Sequence, residues 1–384
     1  MNNFIYHNPV KVIFGVNTIP ELRNLIPLNK KILITYGGGS IKKNGIYEQV
    51  ISALENHQIH EFSGIEPNPA YETCMKAVEV VKKHNIDFLL AVGGGSIVDA
   101  TKFISAAAKF EDGDPWKILS ENAEIKTALP LGSVITVPAS GSETNCIAVV
   151  SRRSTAEKIG FRNPKIQGQF TIIDPSTTYS LPENQLLNGV VDTYVHVLEE
   201  YLTCNINTPL QDRQAEAILL TLHEIAQDVI HKKNDYESRA NFFWCATQAL
   251  NGLIACGTVS DWSTHYIGLN ITAFYGLEHA KTIAIVLPEL LKYKAENKKE
   301  KILQYGKRIL RINNEDNLKT VYKIIDKLKM FFNSLGMKTK LVDYNIDSDE
   351  AAEKISARVA ERKAILGEKN DINPEDVKKI LKNC

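Results

Sequence analysis

A chain of 384 residues is long enough, at roughly 150 residues per domain, for two or three domains and a large buried core, which excludes a mini-protein or an isolated interaction module. Its 45 Lys plus Arg balance 45 Asp plus Glu, so no net field recruits nucleic acid or an anionic membrane, and the expected partner is a small molecule. With 44% hydrophobic and 23% charged residues, and no run approaching the ~18 apolar residues of a membrane span, the composition is that of a soluble globular enzyme. Cys74, Cys146, Cys204, Cys245, Cys256 and Cys384 form no C-x-x-C pair, and MNNFIYHNPV lacks a basic segment followed by an apolar run; both point to the cytoplasm.

In chain order, Lys31–Tyr36, Asp87–Val92, Val134–Val137 and Thr171–Ile173 read as buried strands, being short, β-branched or aromatic, and closed by Gly, Pro or Asp. Between them, Tyr71–His84 and Ile97–Lys109 carry apolar residues at helical spacing. Alternating strands and helices predict a mostly parallel sheet covered on both faces, with ligands at the carboxyl ends of its strands. Beyond Leu181-Pro182 the pattern turns helical: Glu183–Leu202, Pro209–His231, Ser238–Ile254, Thr264–Phe274, Lys299–Arg311, Leu318–Leu335 and Pro374–Lys382. The expected division is therefore an α/β domain over 1–182 and an all-helical domain over 183–384, and clefts between two such domains are favoured places for active sites.

Gly37-Gly38-Gly39-Ser40 and Gly93-Gly94-Gly95-Ser96 each follow a predicted strand. Glycines let backbone N–H groups approach an anion, and a following helix adds unpaired donors, so the two turns together suit a dinucleotide. One such turn alone is more simply a tight strand-to-helix connection, and neither matches the Rossmann fingerprint or a P-loop. Ser96 and Asp99 also fit a capping-box-like helix start. No acidic residue stands at the first turn to accept ribose hydroxyls; Ser40, Lys42 and Lys43 follow instead and suit a 2′-phosphate, which favours NADP over NAD.

Asp192 and His196 lie four residues apart on a predicted helix, hence on one face, where a carboxylate and an imidazole suit Zn²⁺ or Fe²⁺. A hydrogen-bonded helix surface would show the same pair. His265 and His279 would stand ~21 Å apart on one straight helix, but Gly276 supplies a break through which the chain can fold back.

These motifs, with FIYHNPVKVIFG, EPNP at Glu66–Pro69, TVPASGSETN, IDPSTTYSLP, ATQALNGLI and GLEHAKTIAIVLP, resemble the iron-dependent (group III) alcohol dehydrogenases, in the branch of NADPH-dependent aldehyde reductases and butanol dehydrogenases. The resemblance covers essentially the whole chain. It implies a dehydroquinate synthase-like architecture: an N-terminal dinucleotide-binding α/β domain, an all-helical C-terminal domain and a catalytic divalent metal in the cleft between them. Carried over residue by residue, it implies Asp192, His196, His265 and His279 as metal ligands, Gly37, Gly38 and Ser40 at the adenosine end of NADP(H), and Gly94, Gly95, Ser96 and Asp99 at its pyrophosphate and nicotinamide end. Thr136, Ser140, Ser142, Asn145 and Lys158 match further cofactor positions, with Tyr179 nearby. The expected substrates are small to medium aldehydes or primary alcohols and the expected assembly is a homodimer. Fe²⁺ or Zn²⁺ is the expected ion, with Ni²⁺, Mn²⁺ and Co²⁺ compatible with the same ligands.

One position departs from the family pattern. Members commonly carry a histidine four residues after the third metal ligand, where this chain has Leu269, so the proton relay expected there is missing. Three alternatives stand beside the main reading: an NAD-linked polyol dehydrogenase or a dehydroquinate synthase of the same broad fold, or, suggested by Leu269 alone, a metal- and nucleotide-binding protein with reduced turnover. A dehydroquinate synthase would need clustered Arg and Lys for its charged substrate, whereas the surroundings of Asp192 and His265 are Tyr, Trp, Val, Leu and Ile.

Overall fold

The computed structural model describes residues 1–313 and 315–384. Its contacts divide the chain into two compact units, one of His7–Pro182 with Lys232–Asn251, the other of Met1–Tyr6, Glu183–His231 and Gly252–Cys384.

In the first unit the chain runs β1 (Lys11–Phe14), β2 (Lys31–Thr35), α1 (Ser40–Lys43), α2 (Ile46–Ala53), β3 (Gln58–Phe62), α3 (Tyr71–His84), β4 (Phe88–Gly94), α4 (Gly95–Ala107), α5 (Lys117–Ser120), β5 (Leu131–Val137), β6 (Ile147–Arg152), β7 (Glu157–Arg162) and β8 (Phe170–Ile173). Six strands form one parallel sheet in the order β1-β8-β5-β4-β2-β3. Alternate residues of the same strand enter opposite cores: Leu89 and Ala91 pack with α3 and α4, whereas Phe88, Leu90 and Val92 pack on the face that includes Ile46 and Val50 of α2. Burial on both faces is why these strands read as unbroken apolar runs. The pair β6 and β7 forms a separate antiparallel hairpin closed at Ala156, which takes a left-handed φ of 49°.

The second unit is helical: α6 (Glu183–Tyr201), α7 (Pro209–His231), α9 (Ser263–Tyr275), α10 (His279–Tyr293), α11 (Ala295–Arg308), α12 (Leu318–Ser334), α13 (Ser348–Glu361) and α14 (Pro374–Lys382). The intervening α8 (Tyr236–Ala249) departs from the expected division, because it belongs to the α/β unit. Its interior contacts give the reason: Phe243 joins the α/β core, the buried Arg239 donates from Nη1 to the Thr178 carbonyl at 2.9 Å, and Thr247 donates to the Glu143 carboxylate at 2.8 Å.

Three differences from the predicted elements have local causes. Helix α8 stops at Ala249 rather than Ile254, and the chain then turns through Gly252 at φ 88°. Helix α11 begins at Ala295 rather than Lys299, and two of its buried positions are Lys298 and Lys301, which apolar periodicity cannot detect. Helices α10 and α13 were not predicted; the first carries Pro288 in its interior, and the second buries a narrow stripe that includes Ala351 and Ala352. Among the described residues no helix is long and apolar enough to cross a membrane.

Candidate metal centre and nucleotide turns

Helix α6 presents Asp192 and His196 on one face, both buried, with His196 Nε2 3.7 Å from Asp192 Oδ1. Helix α9 supplies His265 from its first turn and ends at Tyr275, where Gly276 takes φ 69° and reverses the chain. His279 then opens α10, its Nε2 3.8 Å from the same Asp192 oxygen and its ring 5.1 Å from that of His265. One ligand atom each from Asp192, His265 and His279 fall within 4.8 Å of one another. His196 stands outside that trio and stacks on His265 at 4.6 Å, with Trp262 5.2 Å from His265 on another side.

The donor set fits a divalent ion. Asp192 Oδ1 is buried without a hydrogen-bond partner, an arrangement that costs free energy unless something positive meets it. Burial pulls the His196 pKa down to about 4, against the opposing pull of Asp192, so its imidazole is neutral as a ligand must be.

Glu199, one turn after His196, was not singled out from the sequence, yet it fixes the geometry. Its carboxylate accepts the Thr264 N–H at 2.7 Å and the His265 N–H at 3.2 Å, and it bonds His265 Nδ1. A carboxylate on Nδ1 selects the tautomer that leaves Nε2 as the ligand atom. Behind it, the buried Lys298 ammonium pairs with Asp261 at 2.9 Å, bonds Glu368, and donates to the Leu202 carbonyl at 2.7 Å. Burial works to raise the Asp261 carboxyl, but Lys298 holds it down at about 2. Asp261 in turn accepts from the Ser263 N–H and hydroxyl at the start of α9, so one lysine ties α6, α9 and α11 together behind the ligands. Leu269 lies half-buried one turn beyond His265 on α9.

The nucleotide-side expectations fall at the carboxyl ends of adjacent strands. Gly37 lies just past β2 and Gly93-Gly94 close β4; a methyl on Gly37 would stand 3.1 Å from the Ile65 carbonyl oxygen and 3.5 Å from Ile97, and one on Gly93 would stand 2.6 Å from Ile97. Helix α4 starts at Gly95 with Gly94 as N-cap and without a side-chain cap, so Ser96 and Asp99 are not a capping box. Asp99 reaches elsewhere: it accepts the Ser142 hydroxyl at 2.6 Å and the Val149 N–H at 3.0 Å. Gly95 sits against Ser140, Thr136 is buried near the end of β5, and Asn145 accepts from the Ile147 N–H at 2.8 Å. Lys158 on β7 donates to Asn68 at 2.7 Å, and Tyr179 lies in the turn after β8, whose Ser180 contacts Asn44 at 3.0 Å.

Lys102 is the residue that motif reading missed on this side. It is fully buried and donates to the Ser142 carbonyl at 2.5 Å, the Ser142 hydroxyl at 2.9 Å, Asn145 Oδ1 at 3.1 Å and the Ile147 carbonyl at 2.8 Å. Burial lowers its pKa to about 8, with Asp99 and Glu143 opposing. The first turn also differs from expectation. An acidic residue does reach it, from the neighbouring strand β3: Glu61 accepts from Tyr36 at 2.7 Å, Tyr47 at 2.5 Å and Lys42 at 3.2 Å. Strand pairing brings together residues that are distant in sequence, so scanning near Ser40 could not reveal it.

Comparison with known proteins finds matches along nearly the whole chain. Residues 9–175 match the family model "Iron-containing alcohol dehydrogenase", and residues 186–384 match "Fe-containing alcohol dehydrogenase family, C-terminal". The chain is 46% identical over 382 residues to the "NADPH-dependent aldehyde reductase YqhD" of Escherichia coli (strain K12), covering 99% of each. A crystal structure of E. coli K-12 YqhD matches with a TM-score of 0.97 at 45% identity, over 99% of this chain and 98% of that one. The crystal structure of "NADH-dependent butanol dehydrogenase A" from Thermotoga maritima matches with a TM-score of 0.95 at 36% identity, over 100% of this chain and 98% of that one.

Proposed function

The chain belongs to the iron-containing alcohol dehydrogenase family, and we propose that it reduces small to medium aldehydes to primary alcohols with NADPH, using a divalent metal held by Asp192, His196, His265 and His279. The observation that carries the proposal is the convergence of Asp192, His265 and His279 ligand atoms within 4.8 Å, beside the buried His196. A divalent ion in that set supplies a Lewis acid that draws charge from the aldehyde oxygen.

The chain's own residues do the remaining work. Glu199 holds the His265 ring and its tautomer, and the Lys298 network fixes the helix that carries it. The Gly37–Ser40 and Gly94–Ser96 turns bind the dinucleotide through backbone N–H groups, with Thr136, Ser140, Ser142, Asn145, Lys158 and Tyr179 completing its site. Lys102, fully buried, positions Ser142 and Asn145, and the half-exposed Asp99 holds Ser142 while it stays open to the cofactor's pyrophosphate and nicotinamide end. A bound NADPH would supply the hydride for the carbonyl carbon, and the carbonyl oxygen would take up a proton. Leu269 brings no proton donor to its position on α9, so that proton would come from water or from a cofactor ribose hydroxyl.

The further parts of the reading are a homodimer and the cytoplasm. The edge strand β1 leads into exposed apolar residues, Phe14, Val16 and the neighbouring Trp244, a surface suited to a second copy. The six free cysteines suit a reducing compartment.

The test is NADPH oxidation by butanal and an aldehyde panel after loading with Fe²⁺ or Zn²⁺. Loss of nicotinamide absorbance that depends on metal is expected. Absence of turnover with every aldehyde and either nicotinamide, despite bound metal, would overturn the reading. The role of Glu199 has its own measurement: E199Q should weaken metal binding about 10- to 100-fold in a chelator competition while the metal-free protein keeps its circular dichroism spectrum.

A further inference from the structure

The first glycine turn carries an ion pair that the proposed activity leaves unexplained. Glu61 lies on β3, opposite Ile34 of β2, about 20 residues beyond the turn, where a parallel nucleotide-binding sheet places the carboxylate that accepts ribose hydroxyls. Here that carboxylate is occupied. Tyr36 donates to Oε2 at 2.7 Å, Tyr47 to Oε1 at 2.5 Å and Lys42 to Oε2 at 3.2 Å. The Lys42 ammonium also lies 4.3 Å from the centre of the Tyr47 ring and 5.2 Å from that of Tyr36. Burial works to raise the Glu61 carboxyl, but hydrogen bonds from Tyr47, Tyr36 and Lys42 hold it below the ordinary range, so the pair is ionised at neutral pH.

Resting on the reading that Gly37–Ser40 receives the adenosine end of the cofactor, we propose that the Lys42–Glu61 pair sets how strongly this protein discriminates NADPH from NADH. Lys42, two residues past Ser40 in α1, is the cation a 2′-phosphate would draw on, and Glu61 cancels its charge. The two tyrosine hydroxyls keep the carboxylate in place, which prevents it from turning toward a ribose hydroxyl and equally from releasing Lys42. The pair therefore moderates the preference in both directions: the 2′-phosphate gains less from Lys42 than an unpaired ammonium would give, and the 2′-hydroxyl gains less from Glu61 than an open carboxylate would give. The chemical difference being read is one phosphate group, so the ligands that isolate it are 2′,5′-ADP and 5′-AMP.

The experiment measures binding of these two nucleotides to the full-length protein, wild type, E61Q, K42Q and K42Q/E61Q, at low and high salt. Glutamine at 61 keeps an acceptor for the tyrosines and removes the charge. E61Q should raise the affinity ratio of 2′,5′-ADP over 5′-AMP about five- to tenfold at low salt, with most of the gain lost at high salt, as screening of an exposed charge requires. K42Q should lower the ratio, and the double variant should give no E61Q gain, because the charge that Glu61 masks is then absent. An unchanged ratio in E61Q, or a gain that persists in K42Q/E61Q, overturns the inference while leaving the cofactor reading intact. Failure of the wild-type protein to bind either nucleotide would instead break the cofactor reading and this inference with it. Should E61Q fail to fold, K42Q alone decides: a ratio equal to wild type overturns the proposal.

Discussion

The two Gly-Gly-Gly-Ser turns are identical in sequence and occupy equivalent places at the ends of adjacent parallel strands, yet their glycines answer different demands. In the second turn packing dictates them. A methyl on Gly94 would stand 3.1 Å from Val137, and one on Gly95 would stand 2.2 Å from the Ser140 hydroxyl and 3.0 Å from its Cβ. That turn opens a thirteen-residue helix whose Lys102 and Asp99 lock the Ser142–Asn145 segment. In the first turn a methyl on Gly38 or Gly39 would meet nothing within 4 Å, and the helix that follows has four residues. The second turn is packed closely against β5 and Ser140 while staying half-exposed, whereas Gly38 and Gly39 of the first leave open space at the surface. The same tetrapeptide can therefore approach a ligand either with its glycines fixed by packing or with open space beside them.

Four substitutions would sharpen or break this contrast. K102M should be the most damaging, since it takes a donor from Ser142, Asn145 and Ile147 and leaves the Asp99 and Glu143 carboxylates without their buried counter-charge. A loss of about 3–5 kcal/mol, read by denaturant unfolding, is expected. G95A should cost about 1–3 kcal/mol through the collision with Ser140 and weaken dinucleotide binding with it. G39A, at φ 94°, should cost about 1 kcal/mol for backbone strain alone, with no steric contribution. G38A should leave the melting temperature nearly unchanged, within about 0.5 kcal/mol, while lowering affinity for the adenosine end of the cofactor. If G38A melted as early as G95A, the distinction between a packed turn and an open one would fall.

The fold was largely legible in the chain because the sheet is buried on both faces. Its inner strands had to be apolar throughout, and the glycines that end β2 and β4 had to be small. The edge strands β1 and β3 are not legible as apolar runs because the exposed Lys11 and Glu61 and the half-exposed His60 interrupt their pattern. The hairpin β6–β7 is not legible for the same reason, its strands ending in Ser151-Arg152 and beginning with Glu157-Lys158. Helix α8 was visible as a helix, but its membership of the α/β unit depends on Arg239, Phe243 and Thr247 meeting partners from distant segments.

At the metal centre, the i,i+4 spacing of Asp192 and His196 and the break at Gly276 are local features that helix geometry alone interprets. The amino-acid sequence by itself determined which residue types could hold an ion, which turns could cradle an anion, and the alternating rhythm that produces a parallel sheet. Tertiary structure alone decided that Glu199 bonds His265, that Lys298 anchors the helix bearing it, that Lys102 is buried beside Asp99, and that Glu61 claims Lys42. The physical reason is common to all four. Each is a charged residue that a linear pattern assigns to solvent, and its cost of burial or fixation is met by partners that the fold brings from 19 to 96 residues away.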